Sequence, residues 1–278
     1  MSIYSLFLSS FLLLSGCGLF NTAFSILIKQ RTDSFFLVGI SSSFYFIGIL
    51  IGALKGRSLI KFIDLIKSFS ILVSILSIST LCPLINDGIT LLVLCRFIQG
   101  ICISILFMIV EGWILYSSPA KSKGKILSFY MILLYSSFAF GQLFLIEEPN
   151  NFQIGILIIS AILCMLSILP LSIFNITQPQ IQNNVILSTN TPIDNSIVGI
   201  TCCIISGMIL SSIITIYPAY SLEICNKPTE VAFSMLIVFI FGTLIQYPIG
   251  YITDKYNKHN TLLLISILFF TITIVFFF

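Results

Sequence analysis

Charge is what this sequence has least of. Only 8% of its 278 residues are Asp, Glu, Lys or Arg, about a third of the share in an ordinary soluble domain. Histidine and tryptophan occur once each, the histidine as His259. Hydrophobic residues make up 58% of the chain and its mean hydropathy is +1.12. A soluble fold of this length cannot hide so much apolar surface, so the solvent implied is lipid. The same scarcity excludes functions. There is no metal-ligand cluster, nucleophile elbow or phosphate-binding glycine loop, and an enzyme at a membrane gathers His, Asp or Glu on one face of the bilayer. No catalytic residue, metal, cofactor or nucleic-acid partner is therefore expected. The lone histidine lies between apolar runs, which rules out a histidine relay within the membrane. Six of the eight cysteines (Cys17, Cys95, Cys102, Cys164, Cys202 and Cys203) sit inside apolar runs as small packing residues. Cys82 and Cys225 lie near run ends, with no metal-site spacing.

What the chain has instead is long apolar runs. A helix needs about 20 apolar residues to cross the hydrocarbon core, and windows of that size give nine spans, near 4–28, 36–54, 68–85, 90–116, 126–146, 153–174, 197–217, 231–250 and 260–278. The first has no basic flank and exceeds the roughly 7–15 residues of a signal-peptide core, so it reads as a membrane helix. Connections are short except for "NITQPQIQNNVILSTNTPIDNS", Asn175 to Ser196. That stretch is polar, almost uncharged and reads as a flexible linker. It divides the chain into a six-helix bundle (1–174), a cytoplasmic linker (175–196) and a partial second bundle of three helices (197–278). The last run ends in "ITIVFFF" with no polar tail, and six plus three is not symmetric. A chain cut short after its ninth helix is the expectation this raises.

Loop charge sets the orientation. Loops after the even-numbered spans hold nine basic residues: Lys55, Arg57, Lys61, Lys67, Lys121, Lys123, Lys125, Lys255 and Lys258. Loops after spans one, three, five and seven hold three: Lys29, Arg31 and Lys227. The bias places the N-terminus and the linker in the cytoplasm.

Three features stand out against the apolar background. The island "GYITDKYNKH" places Gly250, Asp254, Lys255 and Lys258 after the eighth span, in the pattern G-x-x-x-D-(K/R)-x-x-(K/R). A weaker copy, "GALKGRSLIKFIDLIK", follows the second span from Gly52 to Lys67; counted from Gly56 within it, Ile60 stands at the aspartate position and Lys61 at the first basic one. Gly52 and Gly250 are 198 positions apart (250 less 52). Span four contains "CRFIQG", with Arg96, Gln99 and Gly100 inside the membrane. An arginine there costs at least ~2.5 kcal/mol, so it either faces a cavity, carboxylate or carbonyls, or snorkels to the outer headgroups. Further along the same span Glu111 lies 15 residues on, about 22 Å of rise, and cannot reach Arg96. Lys61, Lys123 or Lys125 are its expected partners; the alternative is a lone carboxylate reaching the interface.

These motifs, in this order, resemble the major facilitator superfamily, whose loops after helices two and eight carry the Gly–Asp–basic motif and whose fourth helix carries R-x-x-Q-G. The stretches "NTAFSILI", "VGISSSFYFIGILIG", "GKILSFYMILLYSSFAFGQL" and "CCIISGMIL" are most similar to its YcaD-type branch. The resemblance implies an all-α polytopic helical bundle of that type with an incomplete second half. It implies a secondary active transporter in a bacterial cytoplasmic membrane, moving a small solute by alternating access, with a proton or cation as the candidate coupling ion and a monomer as the expected state. The alternative is a non-functional or regulatory fragment of such a transporter lacking helices 10–12. Central-path candidates are Asn21, Arg96, Gln99, Gln142 and Tyr217, alongside polar Thr22, Ser41, Ser42, Ser43 and Tyr45. Gly52, Lys61, Glu111, Lys123, Lys125, Gly250, Asp254, Lys255 and Lys258 form the implied conformational motif and charge network. Gly48, Gly100 and Gly207 are candidates for close helix packing. Helix five, "FAFGQLF", lacks the proline after glycine that marks the antiporter branches, against a drug/proton antiporter.

Overall fold

The computed structural model describes residues 2–60, 64–85, 88–118, 123–147, 152–173, 197–255 and 258–277, and no strand occurs among them. Their helices are α1 (Ser2–Thr32), α2 (Phe35–Ile60), α3 (Leu65–Leu81), α4 (Ile89–Ser117), α5 (Lys123–Glu147), α6 (Phe152–Leu166), α7 (Leu169–Ile173), α8 (Ile197–Cys225), α9 (Pro228–Lys255) and α10 (Lys258–Phe277). A 3₁₀ turn, Cys82–Leu84, closes α3; Pro83 has no amide to donate and so ends the regular ladder. Eight stretches are long and apolar enough to cross a bilayer, the sixth made of α6 and α7 together. The 20-residue α10 covers the ninth run expected from the sequence. Helix is the only way a lone segment can satisfy every backbone amide and carbonyl in hydrocarbon.

Helix ends differ from the expected ones, and backbone chemistry explains why. Span one was expected to stop at Ile28, yet α1 continues to Thr32, so Lys29 and Arg31 occupy its last turn rather than a loop. Span seven was expected to stop at Tyr217, yet α8 continues to Cys225 and takes in Glu223. Both ends are set by an Asx residue in the left-handed region, Asp33 (φ 49°) and Asn226 (φ 58°). The amide of Asp33 donates to the Lys29 carbonyl at 2.9 Å, and that of Asn226 to the Leu222 carbonyl at 2.9 Å. Such a residue closes the last orphan carbonyls and forces the chain out of the helix. Each is followed by one residue and then the next helix, and Pro228 opens α9 at a position where its missing amide costs nothing. Span six is interrupted at Ser167–Ile168, because Pro170 lacks an amide for the Leu166 carbonyl and crowds it. The freed Ser167 carbonyl accepts a hydrogen bond from the Ser9 hydroxyl of α1.

α1 is the central helix, packed against α5, α6, α2, α4, α8 and α9. Other hydroxyls of α1 bond back to its own ladder, Ser10 to the Leu6 carbonyl at 2.7 Å and Ser25 to that of Asn21 at 3.1 Å. Such back-bonding hides a polar group from lipid without needing a partner helix. The tightest crossing joins α2 to α4. A methyl group on Gly48 would strike the Phe97 carbonyl oxygen, and one on Gly100 the Tyr45 carbonyl oxygen. At Gly52 the Ile101 carbonyl oxygen and Ser104 Cβ lie 2.8 and 2.9 Å from where a Cβ would be. Small residues at these steps let the backbones touch, which is how helices associate where lipid removes the hydrophobic drive. The Arg96 turn of α4 is thereby fixed beside Tyr45 of α2 and the middle of α1.

Candidate functional site

Arg96 is 1% exposed, among the largest fully buried side chains of the protein. Its Nη1 donates to Asn21 Oδ1 at 2.7 Å, which ties α4 to α1. The guanidinium carbon lies 4.0 Å from the centre of the Phe24 ring, 5.0 Å from Phe20 and 5.3 Å from Tyr45. Aromatic faces attract a cation but offer no oxygen lone pair. Nε and Nη2 have no hydrogen-bond partner, and no described carboxylate pairs with the group. Snorkelling is thus not how this arginine is accommodated; it is enclosed by protein.

Gln99 follows three positions on, one turn along α4, on the face it shares with Arg96. It is 2% exposed and neither its amide nitrogen nor its oxygen is bonded. Gln142 of α5 is also buried; its Nε2 donates to the carbonyls of Gly18 (3.3 Å) and Phe138 (3.4 Å), leaving Oε1 unpaired. Asn21 and Arg96 therefore meet directly, while Gln142 serves the α1–α5 crossing. Tyr217 of α8 packs on the apolar cluster of Leu14, Phe138, Ala139, Met235 and Phe239. Ser206, Ser211 and Ser212 bond back into α8.

Other sequence candidates fall elsewhere. Glu111 lies within electrostatic reach of Tyr130 and forms no ion pair with the exposed Lys125. Gly250, Asp254 and Lys255 belong to the last turns of α9, not to a loop, and Lys258 opens α10. The side chains of these four and of Lys123, all of Lys61 and the 175–196 linker lie outside the described residues. Gly207 has nothing within 4 Å of where a Cβ would stand, so among the described residues no helix uses it for close approach.

One pair was not expected from the sequence. Lys29 of α1, 8% exposed, reaches Glu223 of α8 at 3.4 Å and Asp33 at 2.8 Å, with the Phe35 ring centre 4.0 Å away. Both lie beyond the ends of the apolar runs, at 28 and 217, which conceals them in the sequence. Their opposite charges at the ends of the first and seventh spans were the available signal.

The family model of the Major Facilitator Superfamily matches residues 6–278. Similar curated proteins include those named "Uncharacterized MFS-type transporter YcaD" from Escherichia coli O45:K1 (strain S88 / ExPEC) and from Escherichia coli O81 (strain ED1a). Each is 27% identical over 256 residues, covering 91% of this chain and 67% of the relative.

Proposed function

From the premise that the chain belongs to the Major Facilitator Superfamily, a family of membrane transporters, we propose that it is a secondary active transporter that carries a small solute across a bacterial cytoplasmic membrane by alternating access. In this reading, residues 1–174 form one bundle and 197–278 part of a second, joined by a cytoplasmic linker at 175–196. The N-terminus is cytoplasmic, as the loop charges favour. The protein acts as a monomer, and a proton or cation is the candidate coupling ion.

One observation carries the proposal. Residues 199–210 of α8 are all exposed, whereas Thr215, Pro218, Ala219, Ser221 and Leu222 are buried at the other end. That buried end is where Glu223 meets Lys29 of α1. Among the described residues the two groups of helices thus touch at one end of α8 and not along 199–210, an arrangement that rocking halves take in one of their two states. With the N-terminus inside, the touching end faces outward. Asn21, Arg96 and Gln99 lie below that closure, Asn21 eight positions or about 12 Å of rise from Lys29.

The test is cysteine accessibility. Single cysteines are walked along 199–210 in a chain whose eight natural cysteines are replaced, and labelled with a membrane-impermeant maleimide from each side of oriented vesicles. One face of α8 is expected to react from the cytoplasmic side only, and to gain reactivity from outside when Glu223→Gln releases the contact. The proposal is overturned if sidedness is identical with and without Glu223, or if no position reacts from either side.

A further inference from the structure

We infer that Arg96 holds an anion with two coplanar oxygens, a carboxylate or an equivalent oxyanion, and that the solute carried bears such a group. The identity of the unbonded atoms points there. Nη1, already bonded to Asn21, stands on the Cδ side of the guanidinium; Nε and Nη2 project together along its other edge. That edge is the side-on fork whose two parallel N–H bonds match a carboxylate. Among the described residues no protein acceptor is bonded to either arm of the fork. Its cation is enclosed among Phe20, Phe24 and Tyr45, with no described carboxylate to balance it. A charge so buried is strongly destabilising unless paired, and a mobile anion balances it only while bound. Gln99, one turn along the same face of α4, is also unbonded at both ends of its amide. The fork is shielded while α1 and α8 touch, and an anion reaches it as they part.

The inference rests on the transport reading above, and the two fail separately. Unfolding temperature of the purified chain in detergent is measured with sodium formate, sodium acetate or sodium chloride at equal ionic strength, and with acetamide as the uncharged counterpart. Formate and acetate serve because the fork needs only the two oxygens. Both are expected to raise the unfolding temperature above its value in chloride, and acetamide to leave it unchanged. Arg96→Gln is expected to abolish the difference. Arg96→Lys keeps the charge without the fork and is likewise expected to lose the preference over chloride, a control should the glutamine variant not fold. Equal response of the wild type to formate and chloride overturns the inference, as does a formate response that survives in Arg96→Lys. If formate stabilises through Arg96 while α8 labelling shows no change of side, the anion site stands and the transporter reading falls. If labelling alternates with no formate response, the reverse holds.

Discussion

The Arg96–Asn21 bond is the residue-scale hinge of the site, because it is the only neutral acceptor the guanidinium has among the described residues. Asn21→Ala removes that acceptor and leaves a third buried donor unpaired. Leaving a buried donor unmatched costs about 1–3 kcal/mol, so this variant is expected to unfold at lower temperature than wild type. Asn21→Asp is the opposite experiment. It places a carboxylate 2.7 Å from Nη1, supplying internally the negative charge an anion would bring. It is expected to unfold at higher temperature than the alanine variant and to lose the formate response. Thermal unfolding with and without formate checks both. Much of this site was legible in the sequence, since Arg96, Gln99 and Asn21 are polar interruptions of apolar runs. Phe20 and Phe24 were not, because an aromatic residue in an apolar run looks the same whether it faces lipid or a guanidinium. Hydropathy carries no information on which way a helix is turned.

Among the elements, the α2–α4 crossing makes the sharpest claim. Gly48 and Gly100 face backbone oxygens of the opposite helix, and backbone, unlike a flexible side chain, cannot yield. Forcing a methyl group into such a contact costs about 1–3 kcal/mol and would push Tyr45 away from Arg96. Gly100→Ala and Gly48→Ala are each expected to lower the unfolding temperature, while Gly207→Ala, with open space around it, is expected to be neutral or to gain up to about 1 kcal/mol of helix propensity. The contrast separates packing from propensity. A Gly207→Ala variant as damaged as Gly100→Ala would refute the assignment of the crossing. The number and order of the membrane helices could be read from apolar length alone, since that length is dictated by bilayer thickness. Their ends could not: α1 and α8 outrun their apolar runs because Asp33 and Asn226, not hydropathy, terminate them. The break at Ser167 could have been anticipated from Pro170; a hydropathy window simply averages across it.

For the whole molecule, the Lys29–Glu223 pair is the charged contact at the end where α8 meets α1, beside the apolar packing of Leu222, Val231 and Ala232 on Leu19, Ala23 and Leu145. Glu223 is 57% exposed at its side chain and Lys29 only 9%, so the pair is worth no more than about 1 kcal/mol. That is too little to hold the fold, yet it shifts a two-state ratio about five-fold. Small size suits a contact that breaks in each cycle of the proposed alternating access. Glu223→Gln is expected to leave the unfolding temperature nearly unchanged, because Asp33 still holds Lys29 at 2.8 Å, and to raise the open-outward population about five-fold. Spin labels at the facing ends of α1 and α8 read that population as a distance distribution. Lys29→Gln is expected to raise that population as much, and the double variant no more than either alone, since each removes the same Lys29–Glu223 contact; unlike Glu223→Gln it also removes the pair with Asp33. The pH dependence follows from Asp33, whose carboxyl is held below the usual carboxylate range by the hydrogen bond and charge of Lys29. A depressed pKa means that the ionised form contributes stability fully above the unfolded value, near 3.9, and loses it as pH falls through the lower folded one. Asp33 thus keeps Lys29 in place unchanged from about pH 5 to pH 8 and releases it only in stronger acid. An open-outward population that rose between pH 7 and pH 5 in wild type would show that some other group governs the closure.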